Sequence, residues 1–251
     1  MAHAYLDNDR PIAFAHRGGT TEAPENSLRA FADAYALGFR YLETDVHATK
    51  DGVLVAFHDD DLARTCGEAR TIAGSTRDEL RSARLAGTDP IPLLDDLIDE
   101  FPDARLNIDC KADTALEPLI AKLRDRDLLD RVCIGSFSDN RLARVRAEFG
   151  HRVCTSMGPR EVASLALRSI SRLPVRRAGP ALAAQVPVAQ GPIPVTTDRL
   201  VRNAHALGIQ VHVWTVDDPV EIARLLDLGV DGIMSDDTRA LRDVFVSRGL
   251  W

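Results

Sequence analysis

The sequence predicts an α/β fold, a (β/α)8 TIM barrel with a short insertion after the second strand, and three observations carry that expectation. Short β-rich runs alternate with segments of helical period, the pattern of repeated βα units around a parallel sheet. The runs number eight, and 251 residues is about the length that eight such units occupy. No linker rich in Gly, Ser or Pro divides the chain, so residues 1–251 read as a single domain.

The expected strands are residues 12–16, 41–46, 106–111, 132–136, 153–155, 182–186, 211–215 and 232–235. Between them, apolar residues recur at helical spacing, as in Leu28, Phe31, Ala32 and Tyr35, or Leu116, Leu119, Ile120 and Leu123. Gly38, Gly208 and Gly229 stand where helices would end in a left-handed residue, and Pro92 and Pro219 stand near helix starts. A ninth β-like run, 53–57, follows Lys50-Asp51-Gly52 and reads as the return arm of a hairpin on the second strand. Pairing about residues 51 and 52 would set Asp45 across from His58 and bring that histidine back to the barrel mouth. Residues 59–90 are polar and weakly periodic and read as a small insertion over the mouth. The sixth strand lies in a stretch, 172–194, rich in Pro, Gly and Ala.

Composition narrows the function. Lys and Arg number 31 against 38 Asp and Glu, a net charge of −7, which argues against a nucleic-acid surface. At 45% hydrophobic and 27% charged, the chain is of ordinary globular composition, not disordered or disulfide-scaffolded. Asp7, Asp9 and Arg10 interrupt the N-terminal region where a secretory segment would be apolar, and no run of about 18 apolar residues follows. The expectation is a cytoplasmic protein without membrane attachment. Cys66, Cys110, Cys133 and Cys154 show no paired spacing and read as small core residues.

The expected C-terminal strand ends collect the polar residues, which is where barrels of this kind place their active sites. His16 and Arg17 end the first strand, Glu43 and Asp45 lie on the second, Asp109 and Lys111 on the third, and Trp214 and Asp236 close the seventh and eighth. Glu43 and Asp45, at i and i+2, share one face of a strand, as do Asp109 and Lys111. Converging carboxylates with no Cys partner call for a hard cation, Mg²⁺ or Ca²⁺, in place of zinc. Two histidines at the same mouth, His16 and His58, suit a general acid and a general base. Arg17 and Lys111 add positive charge suited to a phosphate.

These residues fall in motifs that resemble the glycerophosphodiester phosphodiesterases of the phospholipase-C-like TIM-barrel group. AHRGG at 15–19 and APENS at 23–27 are similar to that family's H-R-G and P-E-N-T elements. ETDV at 43–46, Asp51-Gly52, Phe57-His58-Asp59 and the Leu62 to Thr65 stretch match its next elements. NIDCK at 107–111, VWTV at 213–216 and GVDGIMSD at 229–236 match its later ones, so the likeness spans nearly the whole chain. Three positions depart: Asp109 replaces a metal-binding Glu, Asp217 the usual Asn, and Cys66 a common Thr. The shorter Asp109 either sets an ion deeper or reaches it through water.

The resemblance implies metal-dependent hydrolysis of small glycerophosphodiesters, such as glycerophosphocholine or glycerophosphoethanolamine, to sn-glycerol 3-phosphate and an alcohol. It assigns one divalent cation, Mg²⁺ or Ca²⁺, to Glu43, Asp45 and Asp109. It assigns phosphate or substrate binding to Arg17, Lys111 and Trp214, and acid–base catalysis through a cyclic phosphate to His16 and His58, in either order. Asp59 would orient His58, with Glu25 and Asn26 bracing the mouth. An enzyme acting alone or as a homodimer is expected. A lysophospholipase D or sphingomyelinase D type of activity would need an exposed apolar rim, and the insertion, with Arg64, Glu68, Arg70 and Arg77, is too polar to supply one. A non-catalytic phosphodiester-binding barrel would not need both histidines, both cations and three carboxylates.

Overall fold

In the computed structural model, which describes residues 3–171, 174, 176–177 and 179–251, every expected run forms a strand with its ends within two residues of expectation. In chain order they are β1 Ile12–His16, β2 Tyr41–Ala48, β3 Arg105–Cys110, β4 Val132–Gly135, β5 Cys154–Thr155, β6 Ala183–Pro187, β7 Gln210–Trp214 and β8 Gly232–Ser235. All neighbours are parallel, in the order β5-β4-β3-β2-β1-β8-β7-β6. A bridge between Ser156 and Ala183 joins the two ends and closes the ring. The intervening barrel helices are α1 Leu28–Ala36, α2 Leu94–Glu100, α3 Asp113–Asp125, α4 Asp139–Phe149, α5 Pro159–Ser171, α6 Asp198–Ala206, α7 Pro219–Leu228 and α8 Thr238–Ser247. None of the described helices is long and apolar enough to cross a membrane.

Side-chain alternation splits the core into two layers. Leu42, Val46, Leu106, Ile108 and Ile134 face the helices, while Phe14, Tyr41, Cys133, Cys154 and Met234 fill the barrel. A 3₁₀ turn, Ala4–Leu6, plugs the N-terminal end: Tyr5 is fully buried edge-on to Tyr41, whose hydroxyl donates to the Tyr5 carbonyl at 2.9 Å. Helix termini follow the predicted chemistry. Ser27 caps α1, Asp218 caps α7 ahead of Pro219, and Gly229 ends α7 at φ +85°. Cys110, Cys133 and Cys154 are free and buried as expected, and Cys66 is half-buried.

The hairpin forms, but one residue out of the expected register. Its arm Leu54–Ala56 pairs Val46 with Ala56, and the Phe57 amide donates to the Asp45 carbonyl, so Asp45 opposes Phe57 and not His58. The turn is longer by a residue. Thr49 and Val53 form the last pair, Gly52 takes φ +81°, and the Thr49 hydroxyl accepts from the Val53 amide while donating to Asp51. Past the last ladder pair the arm turns away: Phe57 enters a separate core beneath the insertion, with Leu62, Ile72, Leu80 and Leu85, and His58 lines the cavity at the mouth.

One inner-layer residue makes the barrel acid-sensitive. His212 is fully buried beside Phe14, its Nδ1 has no partner, and burial pushes its pKa down to about 3. The unfolded chain takes up that proton near pH 6.5, so stability falls as pH drops from about 6.5 toward 3, by up to about 1.4 kcal/mol per unit. Urea unfolding of His212→Gln at pH 6.5, 5.5 and 4.5 is expected to show a shallower loss than wild type. An equal slope in both proteins would reject the assignment.

Candidate active site

The HRGG segment leaves β1 through a turn that only glycines fit. A Cβ on Gly18 would lie 2.8 Å from the Phe31 amide nitrogen, and one on Gly19 would lie 2.8 Å from Thr238 Cγ2. Both glycines have positive φ, as does Arg17 at +52°. Squeezed between α1 and α8, this turn fixes His16 and Arg17 over the barrel. The His16 Nδ1–H donates to Asp236 Oδ1 at 2.8 Å, and Nε2 lies 3.7 Å from Glu43 Oε2. The Arg17 amide donates to Glu43 Oε2 at 3.1 Å, and the guanidinium pairs with Asp45 at 3.1 Å and Glu25 at 3.0 Å.

Strand register sets the carboxylates. His16 is level with Glu43, and Asp45 with Asp109, so the three acids project inward from adjacent strands. Lys111 Nζ lies 3.4 Å from Asp45 and 3.3 Å from Asp109. Buried Asn26 donates to Asp45 at 3.2 Å and is held by the Thr44 hydroxyl at 2.8 Å. Burial, reinforced by Asp45, pushes Glu43 up to about 8, and burial with Asp45 also raises Asp109 against the pull of Lys111. Burial opposes protonation of His16, but Glu43 and Asp236 outweigh it and its pKa is raised. Lys111 is raised for the same reason, its two carboxylates prevailing over burial.

The hairpin and insertion secure the second histidine. His58 Nδ1–H donates to Asp59 at 2.5 Å, and the buried His47 ring meets the His58 carbonyl at 3.1 Å. Arg64 then spans two branches of the site. Its fork donates to both Glu25 oxygens at 2.8 and 2.7 Å, and its Nε donates to Asp59 at 2.6 Å. Arg64, with His58, lowers Asp59 to about 2.

A cavity of about 510 Å³ opens at this end, and His16, Arg17, Glu43, Asp45, His58, Asp109, Lys111 and Trp214 all line it. Every site residue nominated from the sequence is therefore brought together. Sequence reasoning left Asp236 without a role, although its place at the end of β8 was the available signal. It missed Gln185, which donates to Asn107 at 2.7 Å, and Phe137, which meets Trp214 edge-on at 5.8 Å. Asp217 touches no cavity wall. Its Oδ1 accepts from Ser235 Oγ and the Asp236 and Asp237 amides, holding the loop that aims Asp236 at His16. The apolar rim that the insertion does not supply is present elsewhere: Val162, Ala163 and Ala166 of α5, with Phe137, Val195 and Trp214, line the half of the cavity fed by β4 to β7.

Oxygen donors, the unpartnered buried Oδ1 of Asp109 and the raised Glu43 fit a hard cation. Among the described residues, no three acidic, His or Cys side chains are yet drawn together as a metal cage, and Arg17 and Lys111 occupy the space beside Asp45.

The sequence profile of the glycerophosphoryl diester phosphodiesterase family matches residues 16–240. The chain belongs to that family. A Mycobacterium tuberculosis relative named "Probable glycerophosphodiester phosphodiesterase 2" is 42% identical over 98% of this chain and 95% of its own length. The human protein named "Lysophospholipase D GDPD1" is 28% identical over 91% of this chain and 84% of its own. Among solved structures, an Oleispira antarctica phosphodiesterase in complex with the product sn-glycerol-3-phosphate has a TM-score of 0.78, 23% identity and coverage of 94% and 97%, which shows a shared barrel. Family members generally depend on a divalent cation, consistent with the acidic wall of this cavity.

The Arg64 bridge makes a specific demand. Arg64→Gln is expected to lower turnover about tenfold with the fold intact, and its effect should not add to that of Glu25→Gln or Asp59→Asn. Arg64→Lys, lacking the fork, should restore only part. Additive losses in the double variants would show that the bridge does not couple the two branches.

Proposed function

We propose that this chain is a metal-dependent hydrolase of glycerophosphodiesters that releases sn-glycerol 3-phosphate and an alcohol. One observation carries the reading. His16 and His58 each give Nδ1–H to a carboxylate, at 2.8 and 2.5 Å, which leaves Nε2 of each ring for proton exchange in a cavity that also holds Arg17 and Lys111. Two oriented imidazoles beside two fixed cations suit in-line displacement at a phosphodiester. Family membership and the names of its relatives support the same chemistry.

In this reading Arg17 and Lys111 hold the phosphoryl oxygens and spread charge as it builds on them. One imidazole takes the proton of the glycerol 2-hydroxyl as that oxygen attacks phosphorus, and the other protonates the departing alkoxide, leaving a cyclic phosphate. Water then opens the ring with the two roles exchanged. The raised pKa of His16 favours its protonated form and suits it to the proton-donor role in the first step. Glu43, Asp45 and Asp109 would hold a divalent cation, Mg²⁺ or Ca²⁺, which when bound supplies Lewis acidity toward the phosphoryl group. Trp214 would form a wall for the glycerol carbons. We read residues 1–251 as one catalytic domain with the insertion, about 59–90, serving to hold His58, and place it in the cytoplasm as a monomer or homodimer.

The test is release of glycerol 3-phosphate from glycerophosphocholine and glycerophosphoethanolamine with Mg²⁺, Ca²⁺ or EDTA. Metal-dependent release is expected, with His16→Ala and His58→Ala each losing about a hundredfold or more in kcat while folding is kept. Full activity in EDTA would remove the metal from the mechanism. Near-normal turnover in either histidine variant would remove the acid–base pair.

A further inference from the structure

The chain is acidic overall, but its charge is unevenly placed. Residues 159–206 hold seven arginines against Glu161 and Asp198, a local net charge of +5 within a total of −7. Glu161 is buried and paired with Arg146 at 2.9 Å, so it presents little negative charge to solvent. Arg202 pairs with Asp198 one turn away, and Arg160 lies 3.6 Å from Asp139 with 89% of its side chain exposed. Arg168, which gives one N–H to the Pro174 carbonyl, meets no carboxylate among the described residues, and neither do Arg176 and Arg199. These arginines share one flank of the barrel. α5 and α6 pack side by side, with Asn203 donating to Ser169 Oγ at 2.9 Å, and exposed Arg176 adjoins Arg177, whose guanidinium reaches the Leu207 carbonyl at the end of α6.

The same flank exposes aliphatic carbon. Arg160, Ala163, Leu167 and Ile170 follow one another at i, i+3, i+7 and i+10 on one face of α5, and Leu167 and Ile170 are each 64% exposed. The stripe begins at the mouth, because Ala163 is both exposed and part of the cavity wall. Charge and apolar surface together select the partner. A second copy docked about a two-fold axis would set +5 against +5. A nucleic acid would neutralise the arginines but leave Leu167 and Ile170 facing phosphates, and residues 159–206 contain no Phe, Tyr or Trp on which a base could stack. An anionic bilayer satisfies both features, with phosphates for the guanidinium groups and an apolar boundary just beneath them for the aliphatic side chains.

We infer that the α5–α6 flank is a peripheral docking surface for an anionic lipid bilayer. Arg160, Arg168, Arg176, Arg199 and Arg202 lie at the level of the headgroup phosphates, Leu167 and Ile170 dip below them, and the acidic remainder of the chain is turned away. Docking of this kind is reversible and needs no spanning helix. It revises the expectation of no membrane attachment, which rested only on the want of a long apolar run. It does not rest on the hydrolytic reading, since none of these seven residues lines the cavity.

The full chain would be sedimented with vesicles of phosphatidylcholine alone and of phosphatidylcholine with about 30% phosphatidylglycerol, at about 50 and about 500 mM NaCl. Binding to the anionic vesicles is expected to be at least about tenfold the stronger and to fall at high salt. The triple variant Arg160→Gln/Arg199→Gln/Arg202→Gln should weaken it at least tenfold, since each arginine near such a surface contributes roughly fivefold. Leu167→Ser/Ile170→Ser should weaken it about tenfold at both salt concentrations. Both variants change solvent-facing side chains and should keep the wild-type thermal midpoint, and the comparison of lipids and salts needs no variant. Equal or absent binding to the two vesicle compositions would overturn the docking. Binding unchanged in both variants would overturn its placement on this flank. Binding to duplex DNA as tight as to the anionic vesicles, and indifferent to Leu167→Ser/Ile170→Ser, would mark a general polyanion surface and overturn the lipid assignment.

Discussion

Three carboxylates projecting from adjacent strands into a closed barrel repel one another and lose their hydration together, and the rest of the mouth is arranged around that cost. Parallel register leaves no choice in the matter, because it puts Glu43, Asp45 and Asp109 on the inward face of β2 and β3, with Asp45 level with Asp109 and Glu43 two residues below. Arg17 and Lys111 answer the charge directly, each touching Asp45. Even so, Glu43 and Asp109 remain raised, which means that the protein side chains alone do not fully compensate the cluster. A site left short of positive charge suits a hard cation, as the proposed function requires.

The same arrangement explains why the surrounding loops are so heavily cross-linked. His16 is held by Asp236, whose loop is held by Asp217. His58 is held by Asp59, which shares Arg64 with Glu25, which in turn touches Arg17. Each imidazole thus has its orientation fixed from behind by a carboxylate that is itself fixed, and the two histidines approach the cavity from different chain segments. The insertion, with its own small core, is the support that makes the Arg64 link possible.

The cavity is asymmetric around the ring. Charge enters from β1 to β3 and the hairpin, while apolar surface enters from the segments after β4 to β7. A barrel readily permits this division, because each loop is carried by its own strand and varies without disturbing the others. The consequence is a cavity whose charged and apolar sides are built by different parts of the chain.

Much of this was legible in the sequence. Period-2 runs alternating with period-3.6 segments determined eight strands and eight barrel helices, and i, i+2 spacing put Glu43 with Asp45 and Asp109 with Lys111 on common faces, because local backbone geometry alone sets those relations. The strand ends likewise marked His16, Arg17 and Trp214. Other relations depended on the closed ring. The three-residue turn at Lys50 to Gly52, settled by Thr49, Asp51 and the left-handed Gly52, moved the hairpin by one register position that the Asp-Gly signal did not resolve. Asp236 meets His16 only because β8 lies beside β1, 220 residues away in the chain. The apolar wall of α5 could not be told from ordinary core periodicity, since Val162 and Ala166 have the same spacing whether a helix faces a barrel or a cavity. Sequence determined which residues share a strand or helix face, and tertiary closure decided which faces meet, because contacts between distant elements are fixed by strand register and ring order.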